Sequence, residues 1–179
     1  MPIKKIKILT VLFIITAIPL YSLVKTGERA PSFNVTDGRG KSLKSSDLRG
    51  KVIIGFYESR ESSNKNNPLK DELNSFKSRS AGAADNRIFR LAVIDATEAN
   101  MASAWVWRRN FLKKSLELGI NIYGDWNGRM KRDFLFPDNE SVFLIIDHKY
   151  VIRYIHPGKV PEIEFEKIKK LIRRILSEK

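Results

Sequence analysis

The residues best suited to bind a ligand or take part in a reaction form one polar loop. The loop contains hydroxyl, amide, carboxylate and cationic side chains, namely Ser59, Arg60, Glu61, Ser62, Ser63, Asn64 and Lys65. A helix that begins after this loop would favour an anion here, because its first N–H groups are free and its dipole is positive at that end. Two interpretations stay open. Either Ser62, Ser63 or Asn64 caps the helix, or the loop holds a carboxylate or phosphate with help from its two cations.

Most other chemistries lack the residues that they need. The chain has no cysteine, which excludes disulfides, thiolate ligands and sulfur nucleophiles. A serine nucleophile needs a histidine base and an acid, but the only histidines, His148 and His156, lie in a predicted hairpin, and no Gly-x-Ser-x-Gly motif occurs. Asp147 beside these histidines matches no metal-ligand motif, and no phosphate or dinucleotide loop is present. We therefore predict no catalytic residue, no metal and no cofactor.

The amino terminus has the pattern of an export segment. Three lysines within residues 4–7 precede a charge-free run from Ile8 to Val24. A basic start followed by an apolar run is typical of a signal peptide or of an amino-terminal anchor. The run is short for a membrane span, which needs about 20 apolar residues, and cleavage after Ser22 is the alternative. We predict that residues 1–26 form the signal or anchor, with membrane contact through residues 8–24, and that residues 27–179 form a domain in the periplasm or cell envelope.

The positive net charge of the chain is compatible with one further class of function, binding to anionic surfaces. The 179 residues include 33 Lys and Arg against 20 Asp and Glu, a net charge of +13. Removing residues 1–26 takes away four lysines and no acid, which leaves +9. Such a domain is attracted to anionic surfaces, so a basic surface or nucleic-acid binder remains an alternative. The positive residues are spread along the chain, and export argues against nucleic acid as the partner.

The elements that position the polar loop follow from hydropathy. Residues 51–57 are mostly apolar and β-branched, which predicts a strand buried on both faces. Leu69, Leu73 and Phe76 then recur with helical spacing, which predicts a helix over residues 64–78. A second buried strand covers residues 88–94 and ends at Asp95. Strand, helix and strand at this spacing predict parallel strands joined by a crossover.

The second half predicts two more helices and a hairpin. Asn100 or Ser103 can cap a helix that ends before Gly119. Trp105, Leu112 and Leu116 would lie on one side of it with Trp107 and Phe111 flanking, and we expect these aromatic residues to pack in the core. Extended residues 120–123 and a turn over residues 124–128 follow. Residues 142–146 and 151–155 predict a hairpin, and Pro161 opens a last helix. Its apolar stripe comprises Phe165, Ile168, Leu171, Ile172 and Ile175. The order predicts an α/β domain with a mixed sheet and helices on both faces.

Several stretches resemble the thioredoxin-like redoxins, the fold of peroxiredoxins and envelope thiol–disulfide proteins. They are Gly27-x-x-Ala-Pro31-x-Phe33, Leu48 to Tyr57, Gly124-Asp-Trp-Asn-Gly128 and Leu144-Ile-Ile-Asp147. Within that fold, Ser59 to Leu69 and Trp105-Val-Trp-Arg-Arg109 are similar to the YtfJ-type periplasmic proteins. The resemblance implies a three-layer α/β/α domain with a central mixed sheet.

The departures from the redoxin pattern decide the predicted function. The resemblance aligns Glu61-Ser-Ser-Asn64 with the Cys-x-x-Cys motif, Ser141 with the cis-proline and Tyr150 with a hairpin glycine. Both chemical landmarks are therefore missing. We predict a non-catalytic, redoxin-derived module of the cell envelope that binds a protein partner or a small anion at residues 59–65. The alternative is a related enzyme that acts without its own thiols.

Overall fold

A computed structural model describes residues 23–80 and 86–178. Most of the predicted export segment, residues 1–22, lies outside the described residues, as does the side chain of Phe76. Among the helices that are described, none combines the length and apolar character that crossing a bilayer requires.

Seven strands form one mixed sheet. Its strands are β1 (Asn34–Asp37), β2 (Ser42–Lys44), β3 (Val52–Glu58), β4 (Ile88–Asp95), β5 (Ile122–Asp125), β6 (Val142–Ile146) and β7 (Ile152–Pro157). The order across the sheet is β2-β1-β5-β4-β3-β6-β7. The three central strands β5, β4 and β3 are parallel, and every other neighbouring pair is antiparallel. The predicted parallel pair and the predicted hairpin are both present.

Within the described residues, four α-helices and two 3-10 turns accompany the sheet. The helices are α1 (Asn67–Ser80), α2 (Ala104–Leu118), α3 (Arg129–Phe134) and α4 (Phe165–Ser177), and the 3-10 turns are Ser45–Leu48 and Glu162–Glu164. The first helix begins three residues later than predicted. The short helix α3 was not predicted, because its six residues are too few to show a hydrophobic period.

Apolar layers cover both faces of the sheet. On one face, α4 buries Ile168, Ile172 and Ile175 completely, together with Leu69 of α1, against strand residues of β3 and β6. On the opposite face, α3 and the segment before β1 pack their phenylalanines over Ile53, Tyr57, Leu91 and Val93. The predicted apolar stripe of the last helix is correct, and the predicted three-layer arrangement is observed.

The predicted core packing of the α2 aromatic residues is correct for Phe111 and Trp107 and wrong for Trp105. Trp105 is 61% exposed and Leu116 is 77% exposed, whereas Phe111 is buried. Phe111 packs against Trp107 and against Trp126, with ring centroids 6.1 Å and 5.6 Å apart respectively. The two flanking residues therefore form the buried face, and Trp105 and Leu116 on the other predicted side point to solvent. At the end of α2, Gly119 adopts a left-handed conformation with φ of 62°, as a terminating glycine should.

Candidate functional site

The sheet topology brings the predicted loop and Ser141 together. Strand β3 ends at Glu58, and consecutive turns over residues 59–66 lead into α1. Strand β6 begins immediately after Ser141, and it pairs with β3 so that Val142 lies opposite Tyr57. The residues that follow β3 are therefore close to the residue that precedes β6.

Two buried serines bond to each other. The Ser59 N–H donates to Ser62 Oγ at 2.9 Å, and the Ser62 N–H donates to Ser59 Oγ at 3.1 Å. Ser63 Oγ donates to the Arg60 carbonyl oxygen at 3.0 Å, and Asn64 Oδ1 accepts from the Asn67 side chain. The hydroxyls of Ser62 and Ser63 are thus used within the turns, and the expectation that Ser62, Ser63 or Asn64 caps α1 is wrong.

Asn66 connects the loop to the residues around β6 and β7. Its Nδ2 donates to Ser141 Oγ at 2.8 Å and to the Gly158 carbonyl oxygen at 2.9 Å, while its Oδ1 accepts the Val160 N–H at 2.9 Å. Both Asn66 and Ser141 are buried, at 1% and 0% exposure. Asn66 was not predicted from the sequence to be a site residue. An asparagine directly before a helix would have been read as a cap, which is not its role here.

Glu58 is a buried carboxylate at the centre of the site. Ser141 Oγ donates to its Oε1 at 3.0 Å and Lys70 Nζ donates to its Oε2 at 2.7 Å. Lys70 Nζ also donates to the Ser63 carbonyl oxygen at 2.7 Å. Burial raises the pKa of Glu58, although Lys70 and Ser141 favour the charged form. Glu58 could have been identified from the sequence as a carboxylate at the end of an apolar strand.

The remaining loop residues form an exposed rim. Lys65 makes an ion pair with Glu140, whose side chain also accepts the Ser141 N–H at 3.1 Å. Arg60, Glu61 and Asn64 are exposed. Of the two cations that the anion hypothesis requires, Lys65 already has a carboxylate partner and Arg60 faces solvent.

In the part of the chain that the structure describes, the loop serines have no histidine base and no metal-binding set is found. Within the described ranges, neither histidine bonds to a serine of the loop, and no three side chains of the metal-binding kinds converge. His148 lies in the β6–β7 turn, at the far end of β6 from Ser141. What the arrangement can do is hold the loop rigidly while presenting the exposed rim.

One end of a large groove is lined by the same loop. The groove has a volume of about 1060 Å³ and lies between α1 and α2. Glu58, Arg60 and Ser63 line it near the loop, and the side chains of Arg90 and Ala92 on β4 line its middle. This groove was not predicted from the sequence. The sequence feature that could have indicated the groove is Arg90, a charged residue inside the otherwise apolar run of residues 88–94.

Solved structures with this architecture belong to thioredoxin-like proteins. A Chlorobium tepidum protein proposed to be the thiol:disulfide interchange protein DsbE shares 18% identity, with a TM-score of 0.62, over 87% of this chain and 100% of its own. The thiol peroxidase from Chromobacterium violaceum shares 14% identity, with a TM-score of 0.57, over 86% and 88% of the two chains. The thioredoxin domain of a Bacteroides vulgatus thiol-disulfide oxidoreductase shares 15% identity, with a TM-score of 0.55, over 83% and 99%.

These likenesses confirm the predicted thioredoxin-like fold for a chain that has no cysteine. No protein-family model matches the sequence, and no curated protein sequence matches it.

Proposed function

We propose that this chain is a non-catalytic derivative of the thioredoxin-like redoxins that works as a binding module in the periplasm or cell envelope. It binds a protein partner or a small anion at the rim of the loop, residues 59–65. The observation that carries the proposal is the closed network of Glu58, Asn66, Lys70 and Ser141, which occupies the place where the resemblance puts the redox centre. The similarity to YtfJ-type periplasmic proteins supports the envelope location.

The network supports binding over catalysis because its polar groups are already paired. Ser62, which lies in the loop, is 1% exposed and bonded to Ser59. A hydroxyl in that situation has no base to activate it and no path to a substrate. Lys70 and Ser141 offset part of the cost of burying Glu58, as partners of a buried carboxylate normally do.

The exposed rim supplies the binding groups. Arg60 offers a guanidinium that can hold a carboxylate or phosphate with two hydrogen bonds. Because the network fixes the turns beneath it, little conformational entropy would be lost when a partner binds.

The experiment is a titration of the full chain with phosphate, sulfate and an acidic peptide, followed by NMR. We expect saturable chemical-shift changes at the amides of residues 59–65, and we expect Arg60→Gln to weaken them several-fold. Arg49→Gln, which removes an exposed cation outside the loop, is the matched control. Absence of any shift near Arg60 with all three probes would contradict anion or peptide binding at this rim.

An activity assay on the same protein tests the other half of the proposal. Purified full chain is expected to give no steady reduction of insulin disulfides or of peroxide when stray thiols are scavenged. Sustained turnover would instead support an enzyme that acts without its own thiols.

A further inference from the structure

The central strand β4 is left partly uncovered on one face. Strands in the middle of a parallel sheet are normally buried on both faces by helices. Here the groove-facing residues Ile88, Arg90, Ala92 and Ile94 are each only half-buried. Helices α1 and α2 stand on either side of them, and the space between is the groove of about 1060 Å³.

Apolar side chains surround most of this space. Ile54 and Phe56 of β3 and Ile122 of β5 extend the floor on both sides of β4. Trp107 and Phe111 of α2 form one wall. An apolar floor of this kind favours a hydrocarbon over water.

Arg90 interrupts the floor with a positive charge. Its neighbour across the sheet is Ile54, and Ile88 and Ala92 flank it along β4. Among the residues that the structure describes, Arg90 has neither a hydrogen-bond partner nor an ion-pair partner, and burial lowers its pKa. A half-buried guanidinium without an anion is costly, and a bound carboxylate would remove that cost.

The rest of the lining is also positive. Seven basic and three acidic side chains line the groove. Two of the acids pair with two of these bases, Glu58 with Lys70 and Glu117 with Lys114, which leaves five basic and one acidic side chain. The charge of the groove is therefore complementary to an anion.

We propose that the groove binds one long-chain fatty acid, with the carboxylate on the Arg90 guanidinium and the acyl chain along the apolar floor. Small-molecule sites are typically about 300–1000 Å³, so the groove has room for a single such ligand. The proposal goes beyond the function proposed above, because Arg90 and α2 are not part of the loop, and either proposal can fail without the other.

Trp107 in the wall allows the ligand to be located. The probe is 9,10-dibromostearate, whose bromine atoms quench the fluorescence of a tryptophan in contact with the acyl chain, added to the full chain. We expect saturable quenching. Trp107→Phe should remove most of the quenching, whereas Trp105→Phe, which changes an exposed tryptophan on the same helix, should leave most of it.

A second series tests the charge. We expect Arg90→Gln to weaken palmitate binding about tenfold or more, as loss of a charge-assisted hydrogen bond predicts. Arg90→Lys should restore part of the affinity, and Arg49→Gln should not change it. Hexadecanol, which has the chain without the charge, should bind equally to the native protein and to Arg90→Gln. Circular dichroism of each variant checks that the fold is kept.

Several results would overturn the proposal. They are a lack of saturable quenching, quenching that persists in Trp107→Phe, and palmitate binding that Arg90→Gln does not weaken. Dimerisation that requires Arg90, or capture of an acidic apolar peptide without palmitate binding, would assign the groove to a protein segment instead. Anion binding at the rim is measured in a separate experiment, with phosphate and Arg60→Gln, so its outcome does not decide the proposal for the groove.

Discussion

At the scale of single residues, Asn66 holds two parts of the chain together through one buried amide. Its three partners lie 75, 92 and 94 residues further along the sequence. No local pattern encodes contacts at such a separation, which explains why the sequence identified the loop but not its central asparagine.

Replacing this amide should be costly. We expect Asn66→Ala to lower the free energy of unfolding by about 3 kcal/mol, since it leaves the buried Val160 N–H and the Gly158 carbonyl without their partner. Urea unfolding of both proteins measures the difference. Asn64→Ala, at an exposed position of the same loop, should change the free energy by about 0.5 kcal/mol or less. Equal effects of the two substitutions would show that the network does not stabilise the loop.

Glu58 should make the stability of the protein depend on pH. Burial raises its pKa in the folded state above the ordinary value of 4.5, so the folded state binds this proton more tightly than the unfolded state. The stabilisation from protonated Glu58 is fully present below pH 4.5 and is lost as the pH rises through the raised pKa.

The substitution Glu58→Gln isolates this contribution, because glutamine keeps the shape and does not titrate. We expect the native protein to lose stability relative to Glu58→Gln as the pH is raised from about 4 to about 8. Urea unfolding of both proteins across that range tests it, and the other carboxylates cancel in the difference. A relative gain in stability on raising the pH would mean that Lys70 outweighs burial.

At the scale of secondary structure, α2 shows where hydropathy reaches its limit. Apolar side chains occur at positions 104–107, 111, 112, 116 and 118, so they surround the helix instead of marking one face. The tertiary contact with Ile122 and Trp126 selects Phe111 for burial, and no helical period could reveal that choice. By contrast, α4 has one narrow apolar stripe, and the strands β3, β4 and β6 are mostly apolar runs, with Arg90 as the exception in β4, so these elements were predicted correctly.

The corrected face of α2 gives a prediction. We expect Phe111→Ala to lower the free energy of unfolding by about 3–5 kcal/mol, because it opens a cavity between Trp107 and Trp126. Leu116→Ala on the exposed side should cost about 0.5 kcal/mol or less. Thermal or urea unfolding compares the two variants. A larger loss of unfolding free energy from Leu116→Ala than from Phe111→Ala would contradict the burial of Phe111 and favour the predicted side of α2.

At the scale of the whole molecule, the fold could be predicted from sequence while the groove could not. The order of strands and helices, together with the redoxin-like stretches, was sufficient for the mixed sheet and its layers. The groove depends on how far apart α1 and α2 stand, which follows from packing and not from the residue types of either helix. Arg90 was the single visible sign of it.

The export prediction can be tested with the first 26 residues of the chain fused to a reporter enzyme. We expect these residues, fused to an alkaline phosphatase without its own signal, to give active enzyme, because that enzyme needs disulfides that form outside the cytoplasm. Replacing Phe13 and Ile15 with arginine should abolish the activity by breaking the apolar run. Equal activity with and without the two arginines would contradict export through this segment.

The chain is fastened to the fold almost from its first described residue. The Val24 N–H donates to the Phe134 carbonyl oxygen of α3, and the Gly27 N–H donates to the Ile152 carbonyl oxygen of β7. If the preceding residues lay in a bilayer, the tether between membrane and domain would therefore be short, because Leu23 and Val24 already pack against the core. The α3 side of the domain would be held toward the lipid, while the opening over β4, on the other face of the sheet, would look out into the aqueous compartment. The fatty acid proposed for the groove would then have to reach it through water and not by lateral diffusion from the membrane.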